Sequence, residues 1–358
     1  MGYMPSNKIR PMTFAILAAL LFGISAPLAK LMLERTAPVT LAGLLYLGSG
    51  LAAGFVLLLR GKQHQAEAPL EHREIPWLAG AVVAGGILAP ILLMKGLAGT
   101  PASTAALLLN FESASTTVLA AIFFREAVGR RVWLSVAIIT AASILLTWNA
   151  NSGWGFSWPA LAILAACLLW GLDNNLTRHV SSRDPLTIVA IKGLGAGIFS
   201  LSFGRVLGEG MPTWSSALTA MLLGVVCYGL SIVLFILALR DLGASRTGAL
   251  FASAPFLGAI LSIPLFSEIP GSQTLWAGLL LLIGTVVLLR EDHQHPHQHA
   301  AEIHAHSHSH DIHHQHHTEE VTGWHSHTHS HAAEVHAHPH TPDTHHRHPH
   351  SHADHSVG

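Results

Sequence analysis

Two sets of side chains in this sequence could do chemistry. The first is a run of imidazoles: residues 291–358 hold 25 of the chain's 28 histidines, in stretches such as His-Gln-His-Pro-His-Gln-His. Neutral imidazole is a good ligand for Zn²⁺, Ni²⁺, Cu²⁺ and Co²⁺. A flexible H-x-H array can gather three or four ligands around any of them. The candidate ligands are His293, His295, His297, His299, His304, His306, His308, His310, His313, His314, His316, His317, His325, His327, His329 and His331. The Irving–Williams order puts Cu²⁺ tightest, while availability decides in the cell. The segment carries few large apolar groups, so it is predicted to be disordered when free of metal. The same imidazoles, titrating near pH ~6.5, would also make it a buffer or a pH-responsive tail.

The second set consists of polar side chains inside long apolar runs. Glu112 lies near the middle of the run 101–124, too deep to reach a membrane surface. An ionisable group there costs several kcal/mol unless paired or wetted, which makes it a functional candidate. The reading is a proton- or cation-binding carboxylate facing a cavity, with Asn110 close in sequence but on another helix face. Asp173-Asn174-Asn175 follows Trp170-Gly171 in the run 159–178, and three consecutive polar residues cannot all face lipid. Lys192 stands at a similar distance from the loop shared with that run, so Asp173 and Lys192 are expected to pair. The pair is either a structural salt bridge or a gate. Glu112, Asn110, Asp173, Asn174, Lys192 and Trp170 form the candidate transport pathway. Lys30 and Lys95, near the ends of their runs, are expected to snorkel to the interface.

Composition says what must hold these groups. The chain has 358 residues, 50% hydrophobic and only 11% charged, whereas soluble domains carry about a quarter charged residues. The net charge of −1 averages two unlike parts. Residues 1–290 hold 18 Lys+Arg against 11 Asp+Glu, and residues 291–358 hold one Arg against nine acids. These are a membrane body and a water-exposed tail. A span needs about 20 apolar residues, and ten segments qualify: 13–33, 38–59, 76–98, 101–124, 132–148, 159–178, 185–207, 215–239, 244–266 and 274–290. Pro38, Pro76, Pro101, Pro159 and Pro185 sit in first turns, where the missing N–H costs nothing. With the N-terminus cytoplasmic, 13 loop Lys/Arg lie inside and four outside, so both termini are expected in the cytoplasm. Cys167 and Cys227 read as small packing residues. There is no P-loop and no basic stripe for nucleic acid.

The two halves match in order. Leu20-Leu21-Phe22-Gly23 aligns with Leu168-Leu169-Trp170-Gly171, Pro38-Val39-Thr40-Leu41 with Pro185-Leu186-Thr187-Ile188, and Phe124-Arg125-Glu126 with Phe266-Ser267-Glu268. Each unit holds an odd number of spans, so the second must be inverted, an architecture common among alternating-access carriers. Five plus five spans, Phe22-Gly23…Pro27…Lys30 in the first, and the stretch Thr100 to Glu112 ending Phe123-Phe124-Arg125-Glu126 resemble the EamA family of the drug/metabolite transporter superfamily. The resemblance covers residues 12–290 and implies export or exchange of small solutes. Glu112 aligns near Ala254-Pro255, so its carboxylate has no twin.

The sequence therefore predicts an all-α membrane protein of ten helices in two inverted five-helix repeats. Residues 1–12 form a cytoplasmic N-terminus, 13–148 and 159–290 the two repeats, and 291–358 the tail. The expected function is an inner-membrane exporter of divalent metal such as Ni²⁺ or Co²⁺, collected by the tail. The alternative is an exporter of a small organic metabolite whose tail only buffers metal. The carrier itself needs no cofactor and is no enzyme. Its expected partners are a small solute or metal ion and the lipid bilayer, with a homodimer as an option.

Overall fold

The structure, a computed structural model, describes residues 9–60, 70–123, 128–149, 155–180, 183–242, 247 and 250–289, with four strands in the tail. Eight helices are long and apolar enough to cross a membrane: Pro11–Met32, Pro38–Arg60, His72–Gly99, Ala102–Phe123, Arg130–Thr147, Trp158–Thr177, Pro185–Val206 and Trp214–Phe235. They match the first eight expected spans. Ala254–Phe266 and Ser272–Leu288 are shorter apolar helices. The ninth expected span, 244–266, is cut short by a turn at Ala252-Ser253, and its residues 244–246 and 248–249 lie outside the described residues.

Several spans are discontinuous. The first is α1 (Ile9–Gly23) and α2 (Ser25–Met32), separated at Ile24, and the second is α3 (Pro38–Arg60). The third runs as α4 (Ile75–Ala81), a π-helical segment Val82–Leu88, and α5 (Ala89–Gly99). Pro90 explains why a carbonyl is free there. A π-helix asks the N–H of residue 90 to bond the carbonyl of residue 85, and proline has no N–H. The fourth span is α6 (Ala102–Leu108) and α7 (Phe111–Phe123), broken at Leu109-Asn110. The fifth, sixth and seventh are α8 (Arg130–Thr147), α9 (Trp158–Thr177) and α10 (Pro185–Val206). The eighth is α11 (Trp214–Leu223), a second π segment Gly224–Leu230, and α12 (Ser231–Leu242). After it come α13 (Ala254–Phe266) and α14 (Ser272–Leu289).

Helices α3 and α10 meet backbone to backbone: a Cβ on Gly193 would stand 2.5 Å from the Cα of Gly50. That is the small-residue packing expected where lipid gives helices no hydrophobic reason to associate. Leu41, Leu45, Leu93, Met94, Leu97, Leu108, Ile139 and Ile163 fill the interior.

Two carboxylates absent from the sequence-based candidates tie helix starts together at one end of the bundle. Glu209 accepts from the Val39 and Thr40 amides at 3.2 and 2.7 Å and from the Thr40 hydroxyl at 2.8 Å. Glu268 does the same for the Ala102 and Ser103 amides at 2.6 and 3.0 Å and for the Ser103 hydroxyl. A carboxylate on orphan amides also meets the positive end of the helix dipole. Lys30 joins this end differently from expectation. Its ammonium does not snorkel but donates to the Leu97 carbonyl at 2.8 Å and to that of Thr100, satisfying the C-terminus of α5. Lys95 is exposed.

In the tail, where the sequence predicts disorder, the backbone pairs into β1 (Gln294–His299) with β4 (Glu334–Pro339) and β2 (Glu302–His308) with β3 (His325–His331), both antiparallel. The strict alternation of His with Ala, Ser, Thr or Val has the period of a strand, which accounts for the pairing. The register sets His304 opposite His329, His306 opposite His327 and His308 opposite His325. It also sets His297 opposite His336, His295 opposite His338, and the two mixed pairs His299–Glu334 and Glu302–His331. His293, His310, His313, His314, His316 and His317 lie outside the described residues.

Candidate functional site

The site forms where the broken fourth span crosses α9. At the break, Asn110 is buried and turns its amide back onto the Leu107 carbonyl at 2.9 Å, while the Cys167 thiol lies 3.6 Å from the Leu108 carbonyl. Asn110 thus stabilises the break. Glu112 occupies the first turn of α7. Its Oε1 accepts from the Asn174 amide at 2.9 Å, and the same amide reaches the Thr116 hydroxyl at 3.2 Å. Of the three consecutive polar residues, Asp173 and Asn175 are buried and Asn174 is exposed. Asn175 donates to the carbonyls of Thr116 and Gly171, which locks α9 to α7.

One helical position away, Asp173 and Lys192 pair as the sequence predicts. The ammonium stands 2.6 and 2.7 Å from the two carboxylate oxygens, and the Thr177 hydroxyl donates to Oδ1 at 2.8 Å. The side chains of both partners are mostly covered. Gly85 makes room for the pair, since a Cβ there would stand 1.9 Å from Asp173 Oδ2. Trp170 is placed otherwise than expected. It is buried, and its indole N–H donates to the Gly85 carbonyl at 3.0 Å, which the Tyr46 hydroxyl also binds at 2.8 Å. The Trp170 indole and the Tyr46 hydroxyl therefore satisfy the carbonyl that Pro90 leaves open, and Trp170 braces the site.

Thr116, Thr177 and Tyr46 were not among the sequence-based candidates. For the two threonines a signal existed: each lies four residues after an intramembrane carboxylate, on the same helix face. Among the described residues no group of three or more His, Cys, Asp or Glu is placed to hold a metal ion.

A second polar cluster closes the opposite end of the bundle from Lys30. Arg183 donates Nε to both oxygens of Glu74 at 2.9 Å and a terminal nitrogen to Glu71 at 2.7 Å. Trp77 and His179 stack beside it, with centroids 4.1 Å apart and planes within 6°. The Arg183 hydrogen bond holds the Glu71 carboxyl below the usual carboxylate range. Two carboxylates hold the Arg183 guanidinium up, against the opposing effect of its partial burial. The cluster joins the start of the third span to the turn before α10.

A bundle of discontinuous apolar helices, with an isolated carboxylate at a break and a covered ion pair beside it, is the construction of a polytopic membrane transporter. The EamA-like transporter family matches residues 9–148 and 157–290. The chain belongs to that family. It is 27% identical, over 76% of its length and 84% of the relative's, to an uncharacterized transporter of Methanothermobacter thermautotrophicus. It is 25% identical, over 61% of its length and 74% of the relative's, to a probable terminal-alkyne amino-acid exporter of Streptantibioticus cattleyicolor. With the uncharacterized inner membrane transporter YedA of Escherichia coli K12 it shares 22% identity over 79% of its length and 92% of the relative's. A crystal structure at 20% identity superposes with a TM-score of 0.56, covering 77% of this chain and 94% of the other, a likeness of fold.

Proposed function

We propose that the chain exports a small organic solute by alternating access, its ten helices forming two inverted repeats with both termini in the cytoplasm. The double family match, one per half, supports two units. So do the breaks at Asn110 and Ser253 and the π segments of the third and eighth spans. Glu112 and Asn174 line the pathway in this reading, and the Asp173–Lys192 pair gates it. Arg183 with Glu71 and Glu74 clamps the cytoplasmic face.

The observation that favours an organic cargo is that Lys192 already neutralises Asp173. Glu112 is left with one amide as its ligand partner, too few donors for a transition metal. The histidine tail favours the second reading, a divalent metal such as Ni²⁺ or Co²⁺ collected by residues 291–358, with Zn²⁺ and Cu²⁺ also bound there. Metal uptake into everted vesicles, with and without residues 291–358, decides between them. If the tail collects cargo, truncation raises the metal concentration for half-maximal uptake and leaves the maximal rate similar. Acidifying to about pH 5 mimics truncation, because protonated imidazole cannot ligate. If neither form moves metal while an organic solute is transported, the metal reading is excluded.

A further inference from the structure

We infer that the cargo is an organic amine with an apolar, aromatic-sized body, carried as its ammonium ion against Glu112. This rests on the carrier reading above and names its substrate class. Among the described residues Asp173 has a cationic partner and Glu112 has none. Lys192 is engaged by both oxygens of Asp173 and approaches Thr177 at 3.4 Å. Glu112 receives one hydrogen bond, from a neutral amide to Oε1. Its second oxygen and the side-chain oxygen of Asn174 are acceptors without a donor among the described residues, and Asn174 is exposed. Two open acceptors and a net negative charge call for a compact, donor-rich monocation. They repel an anion, and a zwitterion's carboxylate would find Lys192 already held by Asp173.

A run of aromatic rings in mutual contact supports the apolar body. Tyr46 shares the Gly85 carbonyl with Trp170, which stands one turn of α9 before Asn174. From Tyr46 the run passes to Tyr228 at 5.8 Å, to Phe22 at 6.2 Å, to Phe251 at 5.3 Å and to Phe235 at 4.7 Å between ring centroids. These rings come from α1, α3, the second π segment, α12 and the turn before α13. Aromatic faces attract ammonium groups as well as apolar surface. A carboxylate with open acceptors and a nearby run of aromatic rings suit an arylalkyl amine better than a hydrated metal ion.

The test is equilibrium binding of radiolabelled 2-phenylethylamine to the purified full-length protein in detergent, with competitors of matched shape. Saturable binding is expected, displaced by unlabelled amine and not by 2-phenylethanol or hydrocinnamate. Glu112→Gln should weaken it roughly 10- to 100-fold, the loss of a hydrogen bond to a charged group. The competition series uses the wild-type protein, so it stands even if the variant fails to fold. Absence of binding, equal displacement by the alcohol, or unchanged affinity in a folded Glu112→Gln protein overturns the proposal. If phenylalanine or Ni²⁺ binds in a Glu112-dependent way and the amine does not, the amine inference falls while the carrier reading stands. If, in addition, reconstituted vesicles move no solute down an imposed gradient, both fall.

Discussion

The fourth and ninth spans carry the same break and differ in the turn after it. In the fourth, the Asn110 amide bonds back three residues to the Leu107 carbonyl; in the ninth, the Ser253 hydroxyl does so to Leu250 at 2.6 Å. The next turn then holds Glu112 in one and Ala254-Pro255 in the other. The glycine helices packed against them are also alike. A Cβ on Gly23 of α1 would stand 2.4 Å from the Ala254 carbonyl, and one on Gly171 of α9 would stand 2.8 Å from the Thr116 amide. A shared scaffold thus carries a charge on one side only. Both spans share the break, and the carboxylate after it stands in the fourth span.

Glu112→Gln separates the two spans most sharply. Transport should fall to background with protein abundance near normal, whereas Pro255→Ala should leave most transport intact. Wild-type transport by the Gln protein in everted vesicles would remove Glu112 from the mechanism. Next in size is the ion pair beside the fourth span, which has no counterpart beside the ninth among the described residues. Asp173→Asn or Lys192→Met alone should destabilise by about 3–5 kcal/mol, because each leaves an uncompensated charge, while the double variant recovers most of it. Additive losses in thermal unfolding would contradict the pairing.

Smaller effects test the shared scaffold. Gly23→Ala and Gly171→Ala should each cost about 1–3 kcal/mol through overpacking, with Gly23→Ala the worse because its backbone obstacle stands at 2.4 Å against 2.8 Å. Asn110→Ala and Ser253→Ala should each cost about 1 kcal/mol for a lost hydrogen bond. Equal losses would establish the two breaks as one device. The smallest effect is at the Arg183 cluster. The Glu71 carboxyl is held low by Arg183, so its contribution is present above the ordinary carboxylate range and is lost as pH falls through the folded value. Melting temperature should drop a little more on acidification in the wild type than in Glu71→Gln, and added salt should shrink the difference because the pair is solvent-exposed.

The sequence made some of this legible and hid the rest for physical reasons. Asp173 and Lys192 could be paired because one short loop joins their helices and fixes their relative depth. The partner of Glu112 could not, since Asn174 belongs to a helix that reaches it only through packing. Trp170 read as a pathway residue from its polar neighbours. The clue to its bracing role was Gly85-Gly86 ahead of Pro90 on a different span, where a freed carbonyl needs a donor. Glu209 and Glu268 stood outside the candidate residues, because capping of a remote helix leaves no trace in local spacing. The tail's alternation was read as composition alone, although a period of two is also the pattern of a strand.

Lys30 has a consequence for labelling chemistry. Its ammonium is occupied by the Leu97 and Thr100 carbonyls, while Lys95, on the same end of the bundle, is exposed. A membrane-impermeant acylating reagent should therefore modify Lys95 at once and Lys30 only when α2 separates from the end of α5. The ratio of the two adducts, read by mass spectrometry over time, becomes a clock for the opening of that end.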